Sequence, residues 1–400
     1  MKGYSGRMAA LTPSYFASLL PRLQVLQSTG RDILRLDIGS PDLPPPPSIL
    51  GALARSVTLE DRHGYQNHRG TLVLRQAWAT MYSRLYQVDL DPEQEVLPLA
   101  GSKEGIFLMT QALVNQDDAV LIPNPGYPIY SQAAAFAGAH LWQMPLEREE
   151  GYLPDLEEVP REVLQRTKIL WLNYPNNPTG ATAARSFFSR AVAFARENNL
   201  LLCHDAAYSQ VTYDGYCAPS LLEVRDAKEV GVEFHSLSKS HNMAGWRVGV
   251  VVGNARALSA LHTLKTHVDS GQFLPVLEAA AAALTEDQGW IAARNEIYRA
   301  RRDLVIATLL KLGVRASTPQ ASLYIWAPLP GHWTSLGFAS ALLEKTGVSV
   351  APGIVFGSQG EGFIRISLTA PTQLIMEAMN RLADWWPVAE ISGDRLHPSS

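Results

Sequence analysis

A single lysine set among hydroxyl and glycine residues is the feature of this chain best suited to chemistry. Residues 236–249 read SLSKSHNMAGWRVG, with Lys239 between serines, Arg247 eight residues later and no acidic residue between the two cations. Lysine can hold an aldehyde as a Schiff base, and a cationic neighbour helps to keep its amine reactive. A guanidinium fork matches a phosphate dianion, to which nearby serine hydroxyls also donate. The segment therefore predicts a site for pyridoxal 5'-phosphate (PLP).

Two upstream segments carry the other groups that this cofactor needs. Residues 200–208 read LLLCHDAAY, typical of a buried parallel strand whose carboxyl end presents Asp205 to a crevice. An aspartate there can pair with a protonated pyridine nitrogen, and Tyr208 can donate to the phenolic oxygen of the ring. Residues 169–180 read ILWLNYPNNPTG, another apolar strand that runs into a turn. In that turn Asn177 can hydrogen-bond both a cofactor oxygen and a substrate carboxylate.

Together these motifs resemble those of the class I/II aminotransferases of PLP fold type I. The shared elements are Asn-Asn-Pro-Thr-Gly at 176–180, Asp-x-x-Tyr at 205–208, and Ser-x-Ser-Lys at 236–239 with an arginine eight residues on. The resemblance extends from about residue 36 to about residue 382. It implies an α/β fold in which a large domain has a mostly parallel seven-stranded sheet between helices, beside a smaller α+β domain. We expect the large PLP-binding domain over 48–280 and the small domain over 1–47 and 281–400.

The resemblance also assigns a phosphate-binding loop. Gly101, Ser102 and Lys103 lie where a loop opens a predicted helix, and free N–H groups at a helix N-terminus favour an anion. The resemblance implies that this loop holds the cofactor phosphate together with Ser236 and Arg247. Whether Lys103 adds its charge or points to solvent stays open.

Four further residues take roles by resemblance. Tyr127 matches the aromatic ring stacked on the pyridine, and Tyr65 matches the tyrosine that reaches the phosphate of a neighbouring subunit, which implies a homodimer with shared active sites. Arg365 matches the residue that binds the substrate α-carboxylate, with the Gly39 backbone as a second contact. An apolar strand does not bury a lone arginine without a partner, although an alternating strand could instead turn Arg365 outward.

The expected reaction is transamination between an amino acid and a 2-oxo acid. Lys239, freed from the cofactor by the substrate, would move the Cα proton as general base and acid, and two half-reactions would form a ping-pong cycle. A PLP-dependent C–S β-lyase would use the same lysine, aspartate and arginines, so it remains an alternative. An effector-sensing regulator would need a DNA-binding domain, which we do not expect, and no Gly-x-Gly-x-x-Gly follows an early strand, which argues against a dinucleotide oxidoreductase.

The substrate is less sharply indicated. Residues 100–105, 125–130 and 269–273 are similar to LL-diaminopimelate and N-succinyldiaminopimelate aminotransferases, although similar sequences act on alanine, aspartate or aromatic amino acids. Ser240-His241 replaces the common Thr-Tyr after the lysine, and Leu277 stands where Gln is frequent. We expect these positions near the cofactor or the substrate entrance.

Composition agrees with a cytoplasmic enzyme. The formal net charge is -4 and no basic block occurs, which argues against a nucleic-acid or membrane-surface partner. Of the two cysteines, Cys203 lies in an apolar strand and is expected to be a buried hydrophobe, so a structural disulfide is not expected. The sequence has no signal-peptide core, no apolar run of about 20 residues and no expected metal site.

Local patterns predict the elements that position these residues. The Arg-rich stretch 294–302 is interpreted as the solvated face of a long helix, and the polar end 391–400 is expected to fray. Helices are predicted at 12–28, 71–86, 182–198 and within 274–312, and strands at 34–39, 96–100, 119–123, 232–236 and 246–253.

Overall fold

A seven-stranded sheet lies at the centre of the computed structural model, which describes residues 3, 5–9, 11 and 13–392. The sheet order is β2-β8-β7-β6-β5-β3-β4, and among its strands β8 runs against both of its neighbours. The strands, in chain order, are β1 (Leu34–Arg35), β2 (Val96–Leu99), β3 (Ala119–Asn124), β4 (His140–Pro145), β5 (Thr167–Asn173), β6 (Leu201–Asp205), β7 (Gly231–Ser236), β8 (Gly249–Gly253), β9 (Tyr324–Pro328), β10 (Val348–Ser349), β11 (Ala351–Pro352) and β12 (Phe363–Ser367).

Helices cover both faces of this sheet and continue into the C-terminal part. They are α1 (Gly6–Ala9), α2 (Tyr15–Ser28), α3 (Pro47–Val57), α4 (Leu72–Tyr86), α5 (Ser102–Leu113), α6 (Ile129–Ala137), α7 (Arg161–Leu164), α8 (Arg185–Glu197), α9 (Ala227–Val230), α10 (Leu237–Ser240), α11 (Ala255–Lys265), α12 (Leu274–Thr285), α13 (Gly289–Lys311), α14 (Ser335–Thr346) and α15 (Thr372–Ser392). No described helix is both long enough and apolar enough to cross a bilayer.

The carboxyl ends of three adjacent parallel strands bring polar residues to one edge of the sheet. β5 ends at Asn173, β6 at Asp205 and β7 at Ser236, and Asn173 is in register with Asp205. Apolar side chains of these strands pack on a separate hydrophobic cluster at each face of the sheet, and His204, Glu233 and His235 are buried among them. The predicted α/β fold with a mostly parallel seven-stranded sheet is confirmed.

A further hydrophobic cluster lies around two small sheets. β9, β11 and β12 form an antiparallel sheet in the order β11-β12-β9, and β1 pairs in parallel with β10. Helices α13, α14 and α15 supply much of the apolar side of this cluster. The turn after β6 also contributes to it through Tyr208, Val211 and Tyr213. The site edge of the central sheet is therefore packed directly against the C-terminal elements.

The interpretation of the Arg-rich stretch as a solvated face was wrong. Arg294, Arg301 and Arg302 are only 3%, 2% and 4% exposed. Arg301 forms a two-bond pair with Asp42 (2.7 and 2.9 Å), and Arg302 lies 2.6 Å from Asp214. These partners are remote in sequence, so a local charge pattern could not reveal that the guanidinium groups of Arg301 and Arg302 are compensated inside the protein.

Three element boundaries also differ from the sequence predictions. The strand expected over 34–39 covers only Leu34–Arg35, and the segment predicted at 246–253 begins its strand at Gly249. The latter starts late because Arg247 has a left-handed φ of 57°, after a short turn of 3-10 helix. The helical region 274–312 is two helices, separated at 286–288. The expected fraying concerns mostly 393–400, which lie outside the described residues.

Candidate active site

A cavity of about 480 Å³ lies at the carboxyl ends of the parallel strands. Its wall contains nearly all the residues predicted for the site: Gly39, Ser102, Lys103, Tyr127, Asn177, Asp205, Tyr208, Ser236, Ser238, Lys239, Arg247 and Arg365. Tyr65 does not line the cavity and is 91% exposed. Residues from segments more than 300 positions apart thus meet at one place, and Tyr65, which was predicted to serve a neighbouring subunit, lies outside the cavity of its own chain.

Lys239 is presented to the cavity by α10, directly after β7. Its Nζ donates a hydrogen bond to the Gly39 carbonyl. Burial, followed by the positive charges of Arg365 and Arg247, lowers the pKa of Lys239 from 10.5 to about 8, against an opposing effect of Asp205. An amine with this pKa has an unprotonated fraction near neutral pH, as a nucleophile or general base requires.

Asp205 is a buried carboxylate with hydrogen-bond donors but no cationic partner. It accepts hydrogen bonds from the Tyr130 hydroxyl (2.8 Å) and from the Ala207 N–H (3.3 Å). Burial raises the pKa of Asp205 above its ordinary value, while these two hydrogen bonds act in the opposite direction. Within the described residues Asp205 forms no ion pair. A protonated pyridine nitrogen would supply the missing positive charge, so this carboxylate fits PLP.

The loop before α5 forms a cradle that fits a phosphate group. Gly101 has a left-handed φ of 84°, and a methyl group there would overlap the Arg247 guanidinium. Arg247 donates to the carbonyls of Ala244 (3.0 Å) and Ala100 (3.3 Å), and no described carboxylate pairs with it. The N-terminal N–H groups of α5 begin at Ser102, at the same wall of the cavity. An uncompensated guanidinium beside a helix N-terminus is a donor set suited to a phosphate dianion.

Two further tyrosines, which the sequence analysis did not assign to the site, place their hydroxyl groups next to predicted site residues. Tyr324, on β9, has its hydroxyl 2.9 Å from that of Tyr208. A Cβ atom at Gly39 would overlap the Tyr324 hydroxyl, which explains the glycine there. Tyr130 holds Asp205 and makes an edge-to-face contact with Tyr127, with centroids 6.0 Å apart. Both lie in apolar segments, where nothing in the sequence distinguishes them from ordinary core tyrosines.

Arg365 is buried, and its guanidinium keeps one donor free. Nη1 donates to Asn177 Oδ1 and Nη2 to the Asp37 carbonyl, both at 2.8 Å. The Tyr324 and Phe356 rings lie 4.0 and 4.7 Å from its Cζ atom. Its Nε–H is buried without a hydrogen-bond partner. Buried donors are rarely left unpaired, so an anionic acceptor such as a carboxylate fits this group, and the outward-facing alternative is excluded.

The remaining wall combines charged and apolar groups. Arg35 donates to both oxygens of Asp37 at 2.7 Å, and Phe16, Leu20 and Ile38 add apolar surface. Sequence analysis missed all of these residues, because the N-terminal helix and the following strand carry no motif. The one available signal was that Asp37 lies two residues before Gly39, which was predicted to contact the substrate.

Lys103 is exposed at this cavity and makes no hydrogen bond or ion pair with any described residue. By contrast, His241 and Leu277 are fully buried and do not line the cavity. The expectation that they lie near the cofactor or the substrate entrance was wrong. His241 instead contacts Ser240 Oγ at 2.8 Å and Gln288 Oε1 at 3.0 Å, because its side chain faces the packing between α10 and α12–α13.

The two cysteines agree with the sequence analysis, since both are free and Cys203 is buried. Within the described part of the chain, no group of three or more His, Cys, Asp or Glu side chains is arranged to hold a metal ion.

Comparison with known proteins identifies the family. The sequence model of "aminotransferase class I and II" matches residues 31–382. An LL-diaminopimelate aminotransferase of Desulforudis audaxviator is 46% identical over 376 residues, which are 94% of this chain and 96% of the relative.

Solved structures give the same result. Substrate-bound BacF from Bacillus subtilis has a TM-score of 0.93 at 40% identity, with 96% of this chain and 98% of that chain covered. A probable N-succinyldiaminopimelate aminotransferase of Thermus thermophilus has a TM-score of 0.88 at 37% identity, with 93% and 100% covered. Because the matched range spans the sheet edge, the phosphate cradle and Arg365, the chain belongs to the class I and II aminotransferases and is a PLP-dependent transaminase.

Proposed function

We propose that this transaminase acts on LL-diaminopimelate or its N-succinyl form, with a 2-oxo acid as partner substrate. The observation that carries the proposal is the presence, in one cavity, of the buried Arg365 with a free Nε–H and the exposed, unpaired Lys103. An amino acid with a carboxylate at each end would place one on each cation. The names of the relatives in the diaminopimelate pathway support the same substrate class.

The roles of the site residues follow from their contacts and charges. Bound PLP supplies a carbonyl that condenses with amino groups and a ring that takes up the electron pair left at Cα. Lys239, whose lowered pKa favours the free amine, would take the proton from the substrate Cα and deliver it to the C4' carbon of the cofactor. Arg365 and Asn177 bind the α-carboxylate, and Asp205 keeps the ring nitrogen protonated.

The other residues of the cavity hold the cofactor in place. Ser102, Ser236, Ser238 and Arg247 line the cavity and would hold the cofactor phosphate, and Lys103 would be free to reach a second carboxylate. Tyr208 donates to the phenolic oxygen, and its contact with Tyr324 orients that hydroxyl. Tyr127 packs against the ring. The Gly39 carbonyl accepts from Lys239, and its N–H is left to the substrate carboxylate.

We also propose that a second copy of the chain completes each active site. Tyr65 is 91% exposed and lies outside the cavity of its own chain, as a residue that serves a partner's site would. Several large apolar side chains are exposed as well, namely Leu50, Val57, Leu59, Val73 and Phe273, and the Phe273 ring contacts His63, two residues before Tyr65. Mixing a Tyr65→Ala chain with a Lys239→Ala chain would then restore activity that neither has alone. Failure of a mixture that demonstrably exchanges subunits would contradict this arrangement.

The domain division and location are part of the same proposal. The clusters that flank the central sheet draw on residues 49–284, whereas the third large cluster draws mainly on residues 298–386, which supports domains over 48–280 and over 1–47 with 281–400. Two free cysteines, one of them buried, are compatible with the cytoplasm.

A broad amino-acid aminotransferase is the second candidate. Phe16, Leu20 and Ile38 give the cavity an apolar wall that would accept alanine or an aromatic side chain as well as a longer chain. Arg35, already paired with Asp37, would add little attraction for aspartate.

The substrate is tested by mixing the holoenzyme with single amino acids and no oxo acid. The panel contains LL-diaminopimelate, its N-succinyl form, glutamate, aspartate, alanine and phenylalanine, and the readout is pyridoxamine phosphate formed per site. We expect a diaminopimelate to react fastest and Lys103→Met to remove that preference. A faster reaction with alanine or phenylalanine would favour broad specificity. Pyruvate and ammonia formed from a sulfur amino acid would favour the C–S β-lyase.

A further inference from the structure

Arg294 is a buried cation that no carboxylate of the described residues compensates. It lies on α13 and is 3% exposed, like Arg301 and Arg302 on the same helix. Those two arginines pair with Asp42 and Asp214, whereas Arg294 forms no ion pair with any described residue. Burial lowers the pKa of Arg294 from 12.5 to about 10. An uncompensated guanidinium is costly to bury, so its hydrogen bonds must have a specific use.

Neutral acceptors satisfy all five N–H donors of this guanidinium. Nη1 donates to the carbonyls of Lys239 (3.0 Å) and Ser240. Nη2 donates to the Gln210 carbonyl and to Asn295 Oδ1, both at 2.7 Å, and Nε donates to Asn295 Oδ1 at 3.2 Å. Asn295 also donates to the Gln210 carbonyl at 3.1 Å. Three of the acceptors are backbone carbonyls, so the guanidinium mainly fixes the backbone, and Asn295 is the side chain that accepts its remaining hydrogen bonds.

The three carbonyls belong to the two segments that carry the proposed chemistry. α10 has only four residues, and the carbonyls at its carboxyl end lack helical partners, which a cation there satisfies. β6 ends at Asp205, and Gln210 lies at the end of the turn that follows and carries Tyr208. One guanidinium therefore ties the backbone of the lysine to the backbone of the turn beside it.

We propose that Arg294 is a positioning residue for proton transfer, which fixes the backbone of Lys239 relative to the turn that follows Asp205 and carries Tyr208. Arg294 does not line the cavity, so it acts through Lys239 and touches neither cofactor nor substrate. The inference rests on the role proposed for Lys239. Once the lysine side chain is free, only its backbone anchor limits where Nζ can lie, and a displacement of about 1 Å can slow a reaction about 100-fold.

The first test compares Arg294→Met with Arg302→Met, a matched control on the same helix with equal burial and no contact with α10. The holoenzymes are assayed with an α-deuterated and an ordinary amino acid. For Arg294→Met we expect kcat to fall about 100-fold, KM to stay within about threefold, and the α-deuterium isotope effect to increase, because proton transfer becomes rate-limiting. Arg302→Met should lower thermal stability and leave kcat and the isotope effect unchanged.

The second test does not depend on activity. Hydrogen exchange of the cofactor-free protein is followed at His241 and Met243, whose N–H groups donate to the Leu237 carbonyl and report on α10. We expect faster exchange there in Arg294→Met but not in Arg302→Met. Exchange equal to that of the unmodified protein would overturn the inference.

A third variant covers the case in which Arg294→Met does not fold. Arg294→Lys keeps the charge but has three donors in place of five, so it should show an intermediate kcat with a raised isotope effect. The positioning role would be overturned if Arg294→Lys had the same kcat and isotope effect as the unmodified protein. It would also be overturned if kcat fell equally in Arg294→Met and Arg302→Met. Absence of transamination in the unmodified holoenzyme would instead contradict the proposed function.

Discussion

At the scale of single residues, the most informative group is Lys239 with the two arginines that lower its pKa. Neither Arg365 nor Arg247 pairs with a carboxylate of the described residues. Burial has the largest effect on the pKa of Lys239, and the charges of these two arginines lower it further. The lysine could be named from the sequence because its motif is local. The size of its pKa shift could not, because Arg365 is 126 residues further along the chain.

Capture of PLP by the cofactor-free protein should depend on pH through Lys239. The reactive form is the free amine, so the rate should rise with pH through a midpoint at about 8 and then level off. Arg365→Met removes the larger of the two charge effects and should move this midpoint upward, towards the ordinary value of 10.5. Stopped-flow absorbance over a pH series measures it. A midpoint that does not change in Arg365→Met would contradict a contribution of the Arg365 charge to the pKa of Lys239.

Arg365 should also control affinity for the substrate carboxylate. Arg365→Lys retains a charge but loses the fork that bonds Asn177, the Asp37 carbonyl and a bound anion, at a cost of about 3 kcal/mol, or roughly 100-fold in kcat/KM. Reduction by borohydride should still trap PLP on Lys239 in this variant. Arg35→Lys is the matched control, since it lines the same cavity but is already paired. A smaller loss from Arg365→Lys than from Arg35→Lys would contradict the assignment.

At the scale of elements, the site depends on where strands end and helices begin. The sequence predicted β5 and β6 well because each begins as an apolar run and ends at a polar residue, whereas β7 contains the buried Glu233 and His235. It did not predict the late start of β8, which depends on the left-handed Arg247, or the burial of the arginines on α13. The positions 294, 298, 301 and 305 follow a helical period, but charged residues on a buried stripe look like a solvated face until their partners are known.

The junction between β2 and α5 can be tested with one methyl group. Gly101→Ala should weaken PLP binding about 10- to 100-fold, because the new Cβ displaces the Arg247 guanidinium from the phosphate position. Gly151→Ala is the control, since Gly151 also has a positive φ, of 65°, but open space at Cβ. Both variants should lose about 1 kcal/mol of stability from backbone strain. Titration with PLP measures the affinities, and equal affinities in the two variants would exclude the overlap as the cause.

At the scale of the whole molecule, a buried charge network joins the sheet to the helices behind it. The Glu233 carboxylate accepts hydrogen bonds from Tyr82 and Ser220 (both 2.7 Å) and contacts His204 (2.8 Å) and His235 (3.0 Å). Burial would raise the pKa of Glu233, but the hydrogen bonds and charges of the histidines outweigh it and hold the pKa well below its usual range. The sequence did not predict this network, because its members are spread from residue 82 to residue 235.

The protein should therefore lose stability in acid through Glu233. A carboxyl group with a lowered pKa in the folded state contributes stability that is present above its ordinary pKa of 4.5 and is lost as the pH falls below it. Glu233→Gln should cost about 3 kcal/mol at neutral pH and flatten the decline below pH 4.5. Glu229→Gln, at the exposed ion pair with Arg196, should cost less than about 1 kcal/mol. Urea unfolding over a pH series measures both, and an unchanged decline in Glu233→Gln would contradict the assignment.

The most direct measurement for the whole account is the location of the cofactor on the chain. The holoenzyme is reduced with borohydride and digested, and the peptide that carries the pyridoxyl group is identified by mass spectrometry. The account predicts one modified residue, Lys239, and no label in Lys239→Ala. A label on another lysine of the cavity, such as Lys103, or no label on the unmodified protein, would contradict it.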